Sequence, residues 1–346
     1  MGPDASQEIP FYGANFWKDE EHRTFLEWIP PGQPRSWVHY LGSKIHGGWS
    51  RANPQKSIAL IARSRYGAAR LAADIFPEQG KASYKQLLLR NGGNDWWQTM
   101  LRDALIHRLA EDMGLTTQAY LPVHVFLEGA YHGLYNLRER ANEHHLAQKH
   151  SLSTDQLDMV DGFLRPIHGH WRPFKEAFEW LDSVEDTQSD AFYQSLAERF
   201  DLDQFADYLA VQIYAGNLDW PHNNLTLWRS SAKDKGIRWL LNDLDMSMNW
   251  HGLASQDGTL GRLIMADDGN PVSSLLNKGL GNDRFKRRLA KRLLFRLENQ
   301  FSPERVLSKL NQLADVIRPE MGYQFSRWGG QKQGNLIAPE SLDQWE

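Results

Sequence analysis

Cysteine is absent from all 346 residues, which excludes a disulfide framework, a thiolate zinc site, an iron–sulfur cluster and a cysteine nucleophile. An excess of one charge is also missing. Lys+Arg 39 against Asp+Glu 43 leave a net of −4, far from the basic footprint of a general nucleic-acid binder, so no nucleic-acid partner is expected. No uninterrupted apolar run approaches the roughly 18 residues that cross a bilayer, so no membrane span is expected. The start, MGPDASQEIP, has neither a basic n-region nor an apolar h-region. No secretory signal is therefore expected in this chain, and the compartment stays open between cytoplasmic and exported from a processed start. Internal repeats, low-complexity tracts, a G-x-x-x-x-G-K-[ST] P-loop, a G-x-G-x-x-G after a strand, a G-x-S-x-G elbow and an H-E-x-x-H pair are all missing, which disfavours Walker, Rossmann, serine-hydrolase and zincin chemistry. What is present is ordinary globular composition, 41% apolar and 24% charged, with length enough for a large domain or two lobes. The 14 tryptophans are the oddity. Several adjoin Gly, Asn or Asp, and packing is their commoner use, a sugar- or base-stacking surface the rarer one.

The pattern along the chain is α+β. Residues 1–36, with PPGQPRS at 30–36, read as an irregular N-terminal arm. From Trp37 to about Arg63 the chain reads as extended, with KSIALIA a strand buried on both faces, and KQLLLRN adds another strand. NDWWQTMLRDALIHRLAEDMG then reads as a helix, with Asn94 or Asp95 as N-cap and Gly114 as its stop. LPVHVFLEGAYHGLYNLRER reads as a hairpin around Glu128 and Gly129. After Arg140 helices are expected at 172–183, 188–200 and 203–215, then a hairpin of NLTLWR and IRWLLN, a Gly- and Asp-rich loop over roughly 250–271, helices at about 282–300 and 303–319, and a weakly patterned tail. Residues 37–140 thus form a strand-rich part with one helix, and 141–346 a mostly helical part with one small hairpin. Two such parts imply a cleft, where ligands usually bind.

The sharpest constellation of chemical groups is N-L-D-W-P-H-N-N at 217–224 with N-D-L-D at 242–245. Asp219 and Asn224 are five apart in a loop after a helix, and Asp243 ends a hairpin strand. Phosphoryl transfer uses one carboxylate to orient the attacking hydroxyl, and an amide oxygen with another carboxylate to hold Mg²⁺ on nucleotide phosphates. Protein kinases order an Asp, an Asn five residues on and a strand-end Asp in this way. A second, weaker constellation is H-G-G-W-S-R-A-N-P-Q-K-S at 46–57. Gly47, Gly48 and Ser50 offer backbone N–H groups to phosphate oxygens, and Lys56 a point charge. The 13 histidines include H-G-H at 168–170 and E-H-H at 143–145, but neither has zinc-ligand spacing. Arg90 and Arg102 read first as partners of Asp95 or Asp103, and as phosphate contacts second. The basic run at 285–296 reads first as a solvated helix face and second as a surface for an acidic partner.

These residues resemble the spore-coat CotH kinase family, atypical kinases with a reduced protein-kinase-like fold. The matching stretches are Gly47-Gly48-Trp-Ser50 with Pro54-Gln-Lys56, Leu89-Arg90-Asn91 with Asp95 and Arg102-Asp103, the hairpin from Gly129 to Glu139, and Asp219 to Asn224 with Asp243-Leu-Asp245. The resemblance implies a two-lobed fold, with residues 37–140 as N-lobe and 141–346 as C-lobe. It makes Lys56 the ATP-phosphate lysine, with Gly47, Gly48 and Ser50 nearby, and Glu139 a cleft residue near the nucleotide. Asp219 becomes the catalytic-loop aspartate, and Asn224, Asp243 and Asp245 the metal set. Where the family often has a lysine, Gln55 stands here. Asp103 and Glu111 are both candidates to pair with Lys56.

The expected activity is therefore an ATP- and Mg²⁺-dependent phosphotransferase, with Mn²⁺ as the substitute metal, acting on Ser or Thr of a protein substrate. Two alternatives remain: a non-catalytic scaffold of the same fold, and a carbohydrate-active or carbohydrate-binding protein with Asp219 and Asp243 as its carboxylate pair.

Overall fold

The structure is a computed structural model that describes residues 5–32, 37–80, 83–232, 236–253, 258–266 and 268–346. Its chain forms two compact units. One comprises Met1–Leu101, Gln118–Arg140 and Gln312–Glu346, the other Arg102–Thr117 and Ala141–Asn311. The strands that carry the argument are β1 (His22–Trp28), β2 (Trp37–His46), β3 (Ser57–Ile61), β4 (Gln86–Arg90), β5 (Tyr120–Leu127), β6 (Ala130–Glu139), β7 (Leu157–Asp161), β8 (Pro166–His168), β9 (Thr226–Ser230) and β10 (Arg238–Leu240). The helices are α1 (Arg102–Ala110), α2 (Glu143–His150), α3 (Arg172–Ser183), α4 (Asp190–Arg199), α5 (Leu202–Ala215), α6 (Gly258–Met265), α7 (Pro271–Leu280), α8 (Asp283–Asn299), α9 (Pro303–Ile317) and α10 (Met321–Trp328). Among the described residues no helix is long and apolar enough to cross a membrane.

The first unit is built on a six-stranded antiparallel sheet in the order β1-β2-β3-β4-β6-β5. The alternation of KSIALIA and KQLLLRN places Leu60, Leu87 and Leu89 in one apolar cluster with Leu41, Phe76 and Tyr135. Ala59, Ile61 and Leu88 form another cluster, so the central strands bury side chains of both parities. The β5–β6 turn holds Glu128 and Gly129 at φ 49° and 78°, the left-handed pair that matches the twist of a two-residue hairpin. The expected irregular arm at 1–36 is corrected at 22–28. HRTFLEW pairs along its whole length with β2, Trp28 against Trp37 and Phe25 against Tyr40, because cross-strand aromatic pairs stabilise the ladder.

The helix expected from Asn94 begins instead at Arg102. Residues Gly93–Trp97 form a separate 3₁₀ turn, and Met100 has φ 61°, which no continuous helix of L-residues tolerates. Asp95 explains the break. Its carboxylate accepts from the Thr99 N–H and hydroxyl at 3.2 and 2.7 Å, a local closure that competes with helical bonding. The tail also departs from expectation. Residues 312–346 belong with the first unit, where Trp328 joins Trp96, Trp97 and Met100 in one cluster and Trp345 donates to the Thr99 carbonyl at 2.9 Å.

In the second unit the expected β9–β10 hairpin is the edge of a four-stranded sheet, β8-β7-β9-β10. LDMV at 157–160 supplies the strand that the sequence reading passed over. α5 is buried along most of its length, as its apolar composition requires. The basic helix α8 does not present all its charge to solvent. Arg288 donates to Asp203 at 2.8 Å, and both Arg292 and Arg296 donate to the buried carboxylate of Asp207 at 2.7–2.8 Å. Breaking such a buried network would cost about 3–5 kcal/mol. The region expected as a loop over 250–271 contains α6, whose Thr259 and Leu263 are buried; part of that region, 254–257 and 267, lies outside the described residues.

Candidate functional site

In the second unit, α5 ends where Gly216 takes φ 59° and its N–H caps the Gln212 and Ile213 carbonyls, a left-handed stop that frees the chain into the loop 217–224. Two backbone bonds stitch this loop to the one after β10: Leu218 N–H to the Met246 carbonyl at 3.0 Å, and Met248 N–H to the Ala215 carbonyl at 2.7 Å. Asn217, fully buried, adds two more links. Its Oδ1 accepts from Asp219 N–H at 3.3 Å, and its Nδ2 donates to the Asp243 carbonyl at 3.5 Å. From α1, Asp103 accepts the Leu244 N–H at 2.9 Å. The Asp219 and Asp243 segments are therefore held together by the backbone and by buried amides, before any ligand is considered.

The side chains converge accordingly. Asn224 Nδ2 donates to Asp219 Oδ2 at 3.0 Å and Asn223 Nδ2 to Oδ1 at 2.7 Å. Asn224 and Asp243 both occupy the left-handed region, at φ 57° and 55°, where Asn and Asp are the side chains best tolerated and each costs about 1 kcal/mol or more. The Asp219 carboxyl is pushed above the usual range by burial; the amide bond from Asn223 opposes the shift, and the nearby negative charge of Asp243 adds to it. With Asn224 Nδ2 on Asp219, the Asn224 carbonyl oxygen is left as a hard acceptor. Asp245 is buried at 3% exposure.

Among the described residues no group of three or more His, Asp or Glu side chains could hold a metal ion unaided. A carboxylate and an amide oxygen, the groups that Asp243 and Asn224 carry, are ligand types that suit Mg²⁺ or Mn²⁺. These hard cations take oxygen ligands and complete their shell with waters and substrate phosphates.

In the first unit the glycine pair and Lys56 flank the 3₁₀ turn Trp49–Ala52. Gly47 takes φ 117°, and a Cβ there would lie 2.5 Å from Ser50 Oγ, so no other residue fits. Arg51 clamps the turn, donating Nε to the Gly47 carbonyl at 2.7 Å and Nη1 to the Phe16 carbonyl at 2.9 Å. Lys56 is half-buried. Its ammonium donates to the Asn53 carbonyl and lies 4.1 Å from the centre of the Phe16 ring. Among the described residues it has no carboxylate partner, and burial pushes its pKa down from 10.5 to about 8. A desolvated cation without an anion is the feature expected of a phosphate-binding lysine before its ligand arrives. Phe16 was not singled out by the sequence, and only its chemistry as an aromatic in an irregular arm could have signalled it.

Glu139 is not brought to Lys56. The ladder aligns Leu60 with Leu87 and Leu87 with Glu139, so Glu139 lies four residues along the sheet, about 13 Å at ~3.3 Å per residue. Its carboxylate accepts the Ala119 N–H at 3.1 Å. Gln55, the departure from the family pattern, is fully buried. Its Nε2 donates to the Leu134 carbonyl, and its Oε1 accepts from Trp96 Nε1 and Gln324 Nε2, each at 2.8 Å. Gly133 makes room for this network, since a Cβ there would lie 2.7 Å from Trp328 Nε1 and 2.8 Å from Gln55 Nε2. Asn91 belongs to the same lattice, donating to the Gln55 carbonyl at 2.6 Å. Several motif residues of this unit are thus architecture. The tryptophans mostly are as well. Trp96, Trp97, Trp220, Trp228, Trp239, Trp328 and Trp345 are buried, whereas Trp49 and Trp171 are exposed.

Comparison with known proteins adds the following. No curated protein matches the chain. Among solved structures, the crystal structure of a Helicobacter pylori proinflammatory kinase, CtkA, is similar at 12% identity, covering 85% of this chain and 92% of that one with a TM-score of 0.28. The family model for the CotH kinase protein matches residues 44–345. The match spans the glycine turn, Lys56, the Asp219 loop and Asp243, and the chain belongs to the CotH kinase family.

Proposed function

We propose that this protein is an ATP- and Mg²⁺-dependent phosphotransferase that acts on Ser or Thr hydroxyls of a protein. The observation that carries the reading is the adjacency of the Asp219–Asn224 loop and the Asp243 segment, held by the amide bond from Asn224 to Asp219, the Asn217 bond to the Asp243 carbonyl and the Leu218–Met246 backbone bond. When bound, Mg²⁺–ATP supplies a γ-phosphoryl group that is electrophilic and an ADP leaving group.

Asp219 orients the acceptor hydroxyl and takes its proton as the oxygen–phosphorus bond forms. A carboxyl raised by burial is a better proton acceptor than an ordinary aspartate. Asn223 and Asn224 fix the rotamer of Asp219, which aims the base in advance. Asp243 and the carbonyl oxygen of Asn224 would hold the metal. Lys56 supplies a compact positive charge to phosphate oxygens, and Gly47, Gly48 and Ser50 offer the backbone beside it.

The test is incubation of the full chain with γ-labelled ATP and either Mg²⁺ or Mn²⁺, with a generic protein acceptor present. Metal-dependent label on the acceptor or on the protein itself supports the reading. Absence of label, together with no Mg²⁺–ATP shift in melting temperature at concentrations far above a plausible Kd, favours a non-catalytic scaffold instead.

A further inference from the structure

Immediately after Asp219 the chain forms one wall of a small cavity that the reaction as described does not use. The cavity is about 40 Å³, and its lining includes Trp220, Pro221 and His222 from the Asp219 loop, Arg262 from α6 and Ser273 from α7. That volume accepts a few waters or one carboxylate or phosphate group, and is far too small for a nucleotide.

Two of its polar residues, Arg262 and Ser273, carry donors that lack acceptors among the described residues. Arg262 has Nε and Nη2 buried and, among the described residues, donating to nothing. Ser273 is 2% exposed, and its Oγ is also without a partner. Arg262 as a residue is only partly buried, but buried guanidinium nitrogens left unsatisfied are costly, and native structures keep such groups where something else completes them. Helix α7 adds a positive end. Asn270 caps it by accepting the Val272 N–H at 2.9 Å, and the same side chain donates to the Pro221 carbonyl at 3.0 Å. The N-terminus of this ten-residue helix is thereby fixed against the Asp219 loop. Asp268 is the acid on the lining; it is exposed, and its Oδ1 accepts the Asn270 N–H at 3.0 Å. A fork of guanidinium donors, a hydroxyl and a helix N-terminus complement an anion and repel a cation.

We propose that Arg262, with Ser273 and the N-terminus of α7, forms a specificity subsite. It binds an anionic side chain of the acceptor polypeptide, acidic or already phosphorylated, one to three residues from the hydroxyl to be modified. The spacing follows from the chain itself. His222 is three residues from Asp219, at most about 10 Å along the backbone, which an extended acceptor covers in the same number of residues. Naming the occupant as acceptor substrate rests on the phosphotransferase reading.

The test is fluorescence anisotropy of the full chain with labelled peptides that share one acceptor Ser. They differ by phosphoserine, Glu or Ala at one, two or three residues on either side, and inorganic phosphate serves as competitor. The expected result is at least tenfold tighter binding of one phosphoserine peptide than of its Ala counterpart, with Glu intermediate and phosphate competing. Arg262→Gln should bring the three to within about twofold. Arg262→Lys should retain part of the preference, since it keeps the charge but loses the fork, and Ser273→Ala should weaken it about threefold. Equal affinity for all three peptides in the native protein overturns the proposal. So does Arg262→Gln with an intact preference or, should that variant fail to fold, Arg262→Lys and Ser273→Ala both keeping the full preference. Loss of the Mg²⁺–ATP melting shift in Arg262→Gln with peptide preference unchanged would assign Arg262 to the nucleotide and likewise overturn it. Because binding is read without turnover, the two readings fail separately. A phosphoserine preference without any transfer keeps the subsite and removes the phosphotransferase, whereas transfer at equal kcat/KM to neutral and anionic peptides does the reverse.

Discussion

Two polar clusters, a buried one around Gln55 in the first unit and a half-buried one around Asp219 in the second, use similar residues to opposite ends. Around Gln55 every polar atom described has found its complement: amide to carbonyl, indole to amide, with Gly133 leaving room for the contacts. Around Asp219 negative charge and backbone strain are concentrated instead. Two carboxylates are close enough to raise one pKa, two backbone positions sit at positive φ, and the Asn224 oxygen faces away from its own partner. A saturated network rigidifies a fold, and a strained, charge-concentrated one stores free energy that only a ligand can release. On the proposed function, the difference separates motif residues that build this protein from motif residues that act.

The comparison is sharpest where one substitution should move function and leave the fold alone. Asp243→Asn keeps a side chain suited to positive φ but removes the metal-binding charge. The Mg²⁺–ATP melting shift should vanish and transfer should fall about 10³-fold, with the melting temperature of the free protein little changed. It should also let the Asp219 pKa fall, since the charge of Asp243 is one of the causes that raise it, and the acid limb of the rate profile should move to lower pH. Gln55→Leu should do the converse. It strands the Trp96 indole N–H, the Gln324 amide and the Leu134 carbonyl, at a cost of roughly 3–5 kcal/mol read by urea unfolding. If Gln55→Leu instead removed nucleotide binding at unchanged stability, the division between builder and actor would be wrong.

Smaller effects discriminate further. Asn224→Ala removes a proposed metal ligand and one bond to Asp219, so the Mg²⁺ concentration for half-maximal transfer should rise about tenfold, measured by metal titration. Lys56 should show the smallest effect, in pH. Its pKa is pushed down to about 8 in the folded protein from the ordinary lysine value of 10.5, so between those values the unfolded chain holds a proton that the native one has released. Its contribution to stability therefore rises with pH across that window. The melting temperature of the native protein relative to Lys56→Met should climb from pH 8 to 10, and nucleotide affinity should weaken over the same range as the ammonium is lost. A flat difference would deny the desolvated lysine.

Much of this was legible in the sequence, and the exceptions have physical causes. KSIALIA, KQLLLRN and the Glu128–Gly129 hairpin declared themselves because strand period and turn chemistry are local. Asp219 and Asn224 declared themselves because their spacing is local as well. The start of α1 did not, since an apolar period runs unbroken through Met100 and only the carboxylate of Asp95, closing on Thr99, interrupts it. The joining of 312–346 to the first unit depends on Trp328 and Gln324 meeting residues nearly two hundred positions away or more, which no window of sequence contains. Glu139 was placed near the nucleotide by resemblance alone, and the strand register, a property of the folded sheet, sets it four residues along from Lys56. Arg262 carried no signal at all, because an unpaired buried donor is a property of the folded cavity.

The most direct measurement compares Asp219→Asn with the native protein in two assays on the same samples: transfer of label from γ-labelled ATP to acceptor, and the Mg²⁺–ATP shift in melting temperature. Transfer should drop by about three orders of magnitude while the shift stays within a degree of the native value. Undiminished transfer by a preparation free of native protein would contradict the assignment of Asp219 as the base.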